Sequence, residues 1–134
     1  MSVLIDSKDT NGNFSLCHII EVKGLEPPRH VHSREDESFY ILEGVIEYNV
    51  DDQVLHAEKG DWVFLPKNIP HSFKVITETA EALMLLSPGG FENFFIEMSE
   101  PAKAMELPPR PQGPPDIKKM DALSSKYGFK FLPG

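Results

Sequence analysis

The chain has 134 residues, 40 % of them hydrophobic and 25 % charged, with a formal net charge of −8 and one cysteine. That length carries one domain with one real core, and the composition argues against a wholly disordered chain. The acidic balance disfavours nucleic acid as a partner, no run of about 18 apolar residues offers a membrane span, and the lone Cys17 cannot form an internal disulfide. A reducing, cytoplasmic setting is the expectation, and residues 1–14 lack the basic and apolar regions of a secretory signal. Residues 1–13 are polar and short on pattern and read as a loose N-terminal arm. From residue 14 to 88 the chain reads as short strands, at 14–22, 30–32, 38–42, 45–50, 54–57, 62–65, 71–76 and 80–87. Turn signals such as Asn11-Gly12, Pro27-Pro28, Gly44, Lys59-Gly60-Asp61 and 66–70 separate them, which predicts an all-β sandwich or barrel. Residues 89–134 form a C-terminal extension. Phe91, Phe94, Phe95 and Met98 recur at helical spacing and predict a helix over 91–99. A connector, 101–115, holds six of the twelve prolines. A second helix is predicted over 116–127, with Ile117, Met120, Leu123 and Tyr127 on one face, Asp116 as N-cap and Gly128 as its left-handed stop. Both helices are expected to dock on the outside of the β domain.

The chemistry concentrates in two segments. In the first, 24–37, His30 and His32 are two residues apart on a strand, so both imidazoles face the same space and make half of a metal site. Glu37 is five residues beyond His32 and would face away on an unbroken strand. The polar run Ser33-Arg34-Glu35-Asp36 suits a turn that resets the phase and brings Glu37 inward. Glu35 is the alternative carboxylate if the turn falls elsewhere. In the second segment, 60–73, a strand runs into a proline-bracketed turn with Asn68 at its tip, a residue that tolerates positive φ. His71 opens the next strand, and Phe73 shares its parity. A lone histidine is more often a hydrogen-bonded core residue, whereas four ligand-type residues converging favour metal. His18 and His56 lack partners in sequence and read as structural or exposed, Cys17 as a small buried hydrophobe, and Trp62 and Phe64 as core or pocket wall.

These segments resemble the two motifs of the cupin superfamily: Gly24, His30, His32, Glu37 and Gly44 in the first, Gly60, Pro66 and His71 in the second. Two positions depart from the pattern, Asn68 for a turn glycine and Val75 for a frequent asparagine, and neither is a ligand position. The stretch 88–95 and the helix ending Lys126-Tyr127-Gly128 are similar to single-domain bacterial cupins described as quercetin 2,3-dioxygenase-like. The resemblance implies a jelly-roll (double-stranded β-helix) barrel over 14–88 with two short C-terminal helices. It implies one divalent transition metal (Fe, Mn, Ni, Co, Cu or Zn) held by His30, His32, Glu37 and His71. The expected activity is that of a metal-dependent dioxygenase on a flavonol-like or other small oxygen-chelating substrate, with O₂. Glu37 would be ligand and general base, its pKa raised by an apolar cavity, and Phe73 would line the pocket. A non-catalytic metal- or small-molecule-binding cupin and a metal-dependent isomerase are the alternatives. Exposed sheet edges and the N-terminal arm suit a homodimer.

Overall fold

A strand buried on one face must alternate, and this chain does so over most of its length. In the strand from Thr79 to Ser87, Ala80, Ala82, Met84 and Leu86 are buried, and the residues between them are half-buried or exposed. The computed structural model describes residues 1–99 and 117–132. Its elements are β1 (Ser2–Ile5), β2 (Ser15–Val22), β3 (His30–His32), β4 (Asp36–Glu43), β5 (Ile46–Val50), β6 (Gln53–Ala57), β7 (Trp62–Leu65), β8 (His71–Val75), β9 (Thr79–Ser87), α1 (Glu92–Ser99), α2 (Ile117–Tyr127) and β10 (Phe129–Phe131). The connector 101–115 and Asp116 lie outside the described residues, as do the side chains of Met98, Ile117 and Met120.

The strands form two five-stranded antiparallel sheets, ordered β1-β2-β9-β4-β7 and β10-β3-β8-β5-β6. Their inner faces meet around Cys17, Phe39, Ile41, Tyr48, Val75 and Ala82, all buried. This is the jelly roll expected from the sequence, with one refinement. The two sheets remain separate, so the domain is a sandwich and not a barrel closed by hydrogen bonds among the described residues. The β4–β5 turn depends on Gly44, which has φ +85°, and a Cβ there would lie 2.6 Å from the Thr79 carbonyl oxygen. Asn68 takes φ 64° at the β7–β8 turn, and its amide donates to the His32 carbonyl at 2.7 Å, tying the second histidine segment to the first.

Three expectations need correction. The N-terminal arm is not loose: Ser2–Ile5 pairs with β2 as an edge strand. Behind it, the buried Glu92 accepts hydrogen bonds from Ser7 N (2.9 Å), Ser15 Oγ (2.8 Å) and Gly90 N (2.7 Å). These donors offset the burial of its carboxylate and hold it below the usual carboxylate range. The helices do not lie on the sandwich wall. They pack on each other and on β10 over the end that holds β3, with Phe94 and Phe129 rings 4.5 Å apart. Finally, β10 was not foreseen, because Phe-Lys-Phe is too short a run for alternation to register. Among the described residues, no helix is long and apolar enough to cross a membrane.

Candidate metal centre

The first histidine pair owes its position to strand geometry. His30 and His32 are both buried, and Val31 between them faces the other way. Antiparallel pairing of β3 with β8 sets His30 directly opposite His71. Residues 33–35 leave the strand conformation, and β4 begins at Asp36 on the other sheet with Glu37 turned inward. The phase reset expected at that turn therefore takes place. One ring nitrogen from each of His30, His32 and His71 lies within 4.8 Å of the others. Metal–nitrogen bonds of about 2.1 Å allow at most about 4.2 Å between two ligand nitrogens, so small rotamer shifts complete a site. Glu37 closes the fourth side, with Oε1 2.9 Å from His32 Nε2 and Oε2 3.7 Å from His71 Nε2.

The outer ring nitrogens are anchored in two of the three histidines. His30 Nδ1 donates to the Pro28 carbonyl at 2.8 Å, and His32 Nδ1 pairs with Glu35 Oε1 at 2.7 Å. Each bond leaves the corresponding Nε2 facing the cluster, the arrangement by which a second group orients a metal-binding imidazole. Glu35 is thus not a substitute for Glu37. It is a buried partner of His32, and it borders a cavity of about 220 Å³ shared with Arg34, Phe91 and Tyr127.

The four groups sit at 8, 2, 4 and 3 % exposure for His30, His32, Glu37 and His71, so burial sets their electrostatics. Burial pushes His71 down to about 4 and lowers His30. It opposes charge on His32 too, but the Glu35 and Glu37 carboxylates outweigh it and raise that imidazole to about 9. Burial would raise Glu37, yet the three histidines hold it below the usual carboxylate range. The raised Glu37 pKa expected from an apolar cavity is therefore reversed by its neighbours. Among the described residues, His32 Nε2 and both ring nitrogens of His71 are buried without a hydrogen-bond partner, Glu37 approaching His32 in a geometry that does not satisfy it. Buried polar atoms are rarely left so, and a divalent ion would take up the inward-facing lone pairs while balancing the carboxylate. The residues present fit a metal.

Aromatic rings close the centre. Phe129 stacks on His32 at 5.4 Å, Phe91 meets the same ring edge-on at 4.5 Å, and Phe131 lies 6.0 Å from His30. Helical spacing had singled out Phe91, but nothing in the sequence marked Phe129 and Phe131. Phe73, half-buried on β8, contacts Tyr48 at 5.9 Å. Tyr48 itself is fully buried, and its hydroxyl has no partner. Trp62 and Phe64, expected in the core or pocket wall, are 61 and 58 % exposed on the outer face of β7, and Val63 and Leu65 point inward instead. His18 is not partnerless, since its Nε2 lies 2.5 Å from Glu81 Oε1. Cys17 is buried, as expected, and its thiol is pushed up to about 11 by burial.

A family model described as a cupin domain matches residues 18–88, more than half of the chain. The chain belongs to the cupin family. This cupin is 30 % identical over 110 residues to a quercetin 2,3-dioxygenase of Bacillus subtilis (strain 168), a match covering 82 % of this chain and 33 % of that protein. It thus spans one third of that relative's length. Among solved structures, it resembles the Bacillus subtilis oxalate decarboxylase described with Mn(II) centres (TM-score 0.58, 24 % identity, 66 % of this cupin and 26 % of that chain). It also resembles KdgF from Halomonas sp. (TM-score 0.57, 18 % identity, 61 % and 74 % coverage). At those identities the two structures attest the fold.

Proposed function

We propose that this cupin holds one divalent transition metal through His30, His32, Glu37 and His71 and catalyses dioxygenation of a flavonol-like or other small oxygen-chelating substrate. One observation carries the metal assignment: three buried imidazoles converge on one point beside a buried carboxylate, with ring nitrogens that no protein group satisfies. The relative named as a quercetin 2,3-dioxygenase supports the choice of reaction. A bound divalent ion would act as a Lewis acid toward a substrate oxygen. The protein's own part is distinct. Glu37, held ionised by the histidines, can accept the proton of a substrate hydroxyl. Phe129 and Phe91 exclude water from the histidine face. Phe73, two residues along β8 from His71, is assigned to the pocket wall. The reading includes a homodimer and, from the single cysteine, a cytoplasmic setting.

Elemental analysis of protein purified without added metal, followed by O₂ uptake against a panel of flavonols, tests this assignment. Expected are about one metal per chain and metal-dependent uptake that Glu37→Gln lowers by roughly a hundredfold or more, the range for a lost general base. Metal-loaded protein that consumes no O₂ with any flavonol leaves a binding cupin and removes the dioxygenase.

A further inference from the structure

The centre is closed on every side, because none of its four groups exceeds 8 % exposure. The neighbouring cavity beside Glu35 is not an entrance, since none of the three histidines nor Glu37 lines it. Some element must therefore move before a small molecule can arrive. The candidates differ greatly in how they are held. β4, which carries Glu37, pairs on both edges, with β9 from Asp36 to Glu43 and with β7 from Glu37 to Tyr40. β8 pairs with β5 from His71 to Val75. Among the described residues, β10 pairs on one edge only, over Phe129–Phe131, and its partner β3 meets β8 at the single register position His30–His71. Backbone bonds from Ser33 N to Gly128 O (2.7 Å) and from Leu132 N to Arg29 O (2.8 Å) flank that short ladder. Yet this weakly held strand carries the covering rings: Phe129 lies opposite His32 and Phe131 opposite His30.

We propose that β10 is a detachable cover over the histidine cluster, and that separation of β10 from β3 is the step that admits ligands. An element that opens locally is drawn from the least anchored part of a fold, and the free energy of opening rises with the ladder and apolar contact it must break. Here that means one short edge ladder, the packing of β10 on α2 and the contacts of two phenylalanines, Phe129 meeting Phe91 and Phe94 at the start of α1. The consequence for metal and substrate rests on the centre proposed above, but the cover itself does not, and the test keeps the two apart.

Val31 and Lys130 face each other in register on the outer side of this ladder. The flanking bonds make them a hydrogen-bonded pair, whose Cα separation of about 5.5 Å is within the range a disulfide spans, the Cβ atoms having to close by about 1 Å. The only native cysteine, Cys17, is buried and does not compete. In Val31→Cys/Lys130→Cys, oxidation locks β10 down and reduction frees it. Carbethoxylation by diethyl pyrocarbonate, resolved per histidine by mass spectrometry, reads access without any metal, and exposed His56 serves as internal standard. The expected result is His30 and His71 labelling slowed roughly tenfold or more in the oxidised form and restored on reduction, as for an opening suppressed by the lock. Phe131→Ala should move the rate the other way, above wild type. Equal labelling of His30 in oxidised and reduced forms, or wild-type labelling as fast as His56, overturns the cover. Uptake of Mn(II), Co(II), Ni(II) and Zn(II) by both forms then reads the centre separately: binding at equal rates rejects the cover alone, and binding of none of them by the reduced form rejects the metal assignment.

Discussion

His32 has a carboxylate at each ring nitrogen, Glu35 at Nδ1 and Glu37 at Nε2. Of the three cluster histidines it is the one raised, to about 9, whereas His71 falls to about 4 and His30 is also lowered. His32 is thus the imidazole that its carboxylate neighbours favour in the doubly protonated form, and a metal at its Nε2 must displace that extra proton. Metal binding at pH 7 should release close to one proton per ion, and apparent affinity should climb roughly tenfold per pH unit until it levels off near pH 9. Calorimetry in buffers of different ionisation enthalpy measures the release. Glu35→Gln keeps an acceptor but removes the charge, so the levelling should move to lower pH and the proton release at pH 7 should shrink. An unchanged profile would show that Glu35 does not set His32. His30 and His32 were legible because their spacing forces them to one side of a strand, whereas Glu37 and His71 were picked out by the turn before one, the strand start at the other and the motif resemblance. The role of Glu35 was not, because it depends on how residues 33–35 turn. The orientation of β7 was ambiguous for a similar reason: Trp62 and Phe64 are as apolar as Val63 and Leu65, so alternation gives two faces without saying which is inner.

At the scale of elements, β2 shows what alternation can conceal. Its inward positions run Ser15, Cys17, Ile19 and then Glu21, a carboxylate where the pattern asks for an apolar side chain. Burial raises Glu21 to about 7, with Glu26 and Glu37 adding to the shift. The folded state thus binds this proton more tightly than the unfolded chain does, and stability falls as pH rises from the ordinary carboxylate range through about 7. Above that, the fold bears a penalty of about 3 kcal/mol. Glu21→Gln should raise the melting temperature at pH 8 and change little at pH 4.5, as calorimetric scans at the two values would register. A gain of the same size at both pH values would remove titration as its cause. The longer strands could be read from sequence to within about two residues because each alternates through several turns of the pleat. β1 and β10 were not, since no motif or turn signal marks them as it marks the equally short β3 and β7, and each forms along the edge of a neighbour, β1 on β2 and β10 on β3.

For the molecule as a whole, a charge of −8 must be carried on the outside, and one sheet face mixes two carboxylates, Asp36 and Glu81, with large apolar side chains. The outer side of the β1-β2-β9-β4-β7 sheet bears exposed Ile20, Trp62 and Phe64, with the Tyr40 ring 4.9 Å from Trp62 and Glu81 matched to His18. Two acidic copies can approach closely only where neither brings unpaired charge, so this face is the natural seat of the proposed homodimer, in preference to the sheet edges. Sedimentation at micromolar concentration should give a dimer, and Trp62→Lys a monomer that keeps its fold. A wild-type monomer under those conditions refutes the assembly. The family and the jelly roll were evident from two short motifs, the open sandwich was not, and the cover over the histidines came from a C-terminal segment whose pattern is too brief to interpret without its neighbours.

The two halves of the aromatic collar are fastened differently. Phe91 and Phe94 flank Glu92, whose carboxylate stitches the start of α1 to Ser7 and Ser15 at the far sheet, whereas Phe129 and Phe131 hang on one strand edge. When β10 swings out, α1 stays put. If β10 opens as proposed, one side of the opening is bounded by Phe91 against the His32 ring, and flat ring systems should then enter faster than rounded ones of equal size.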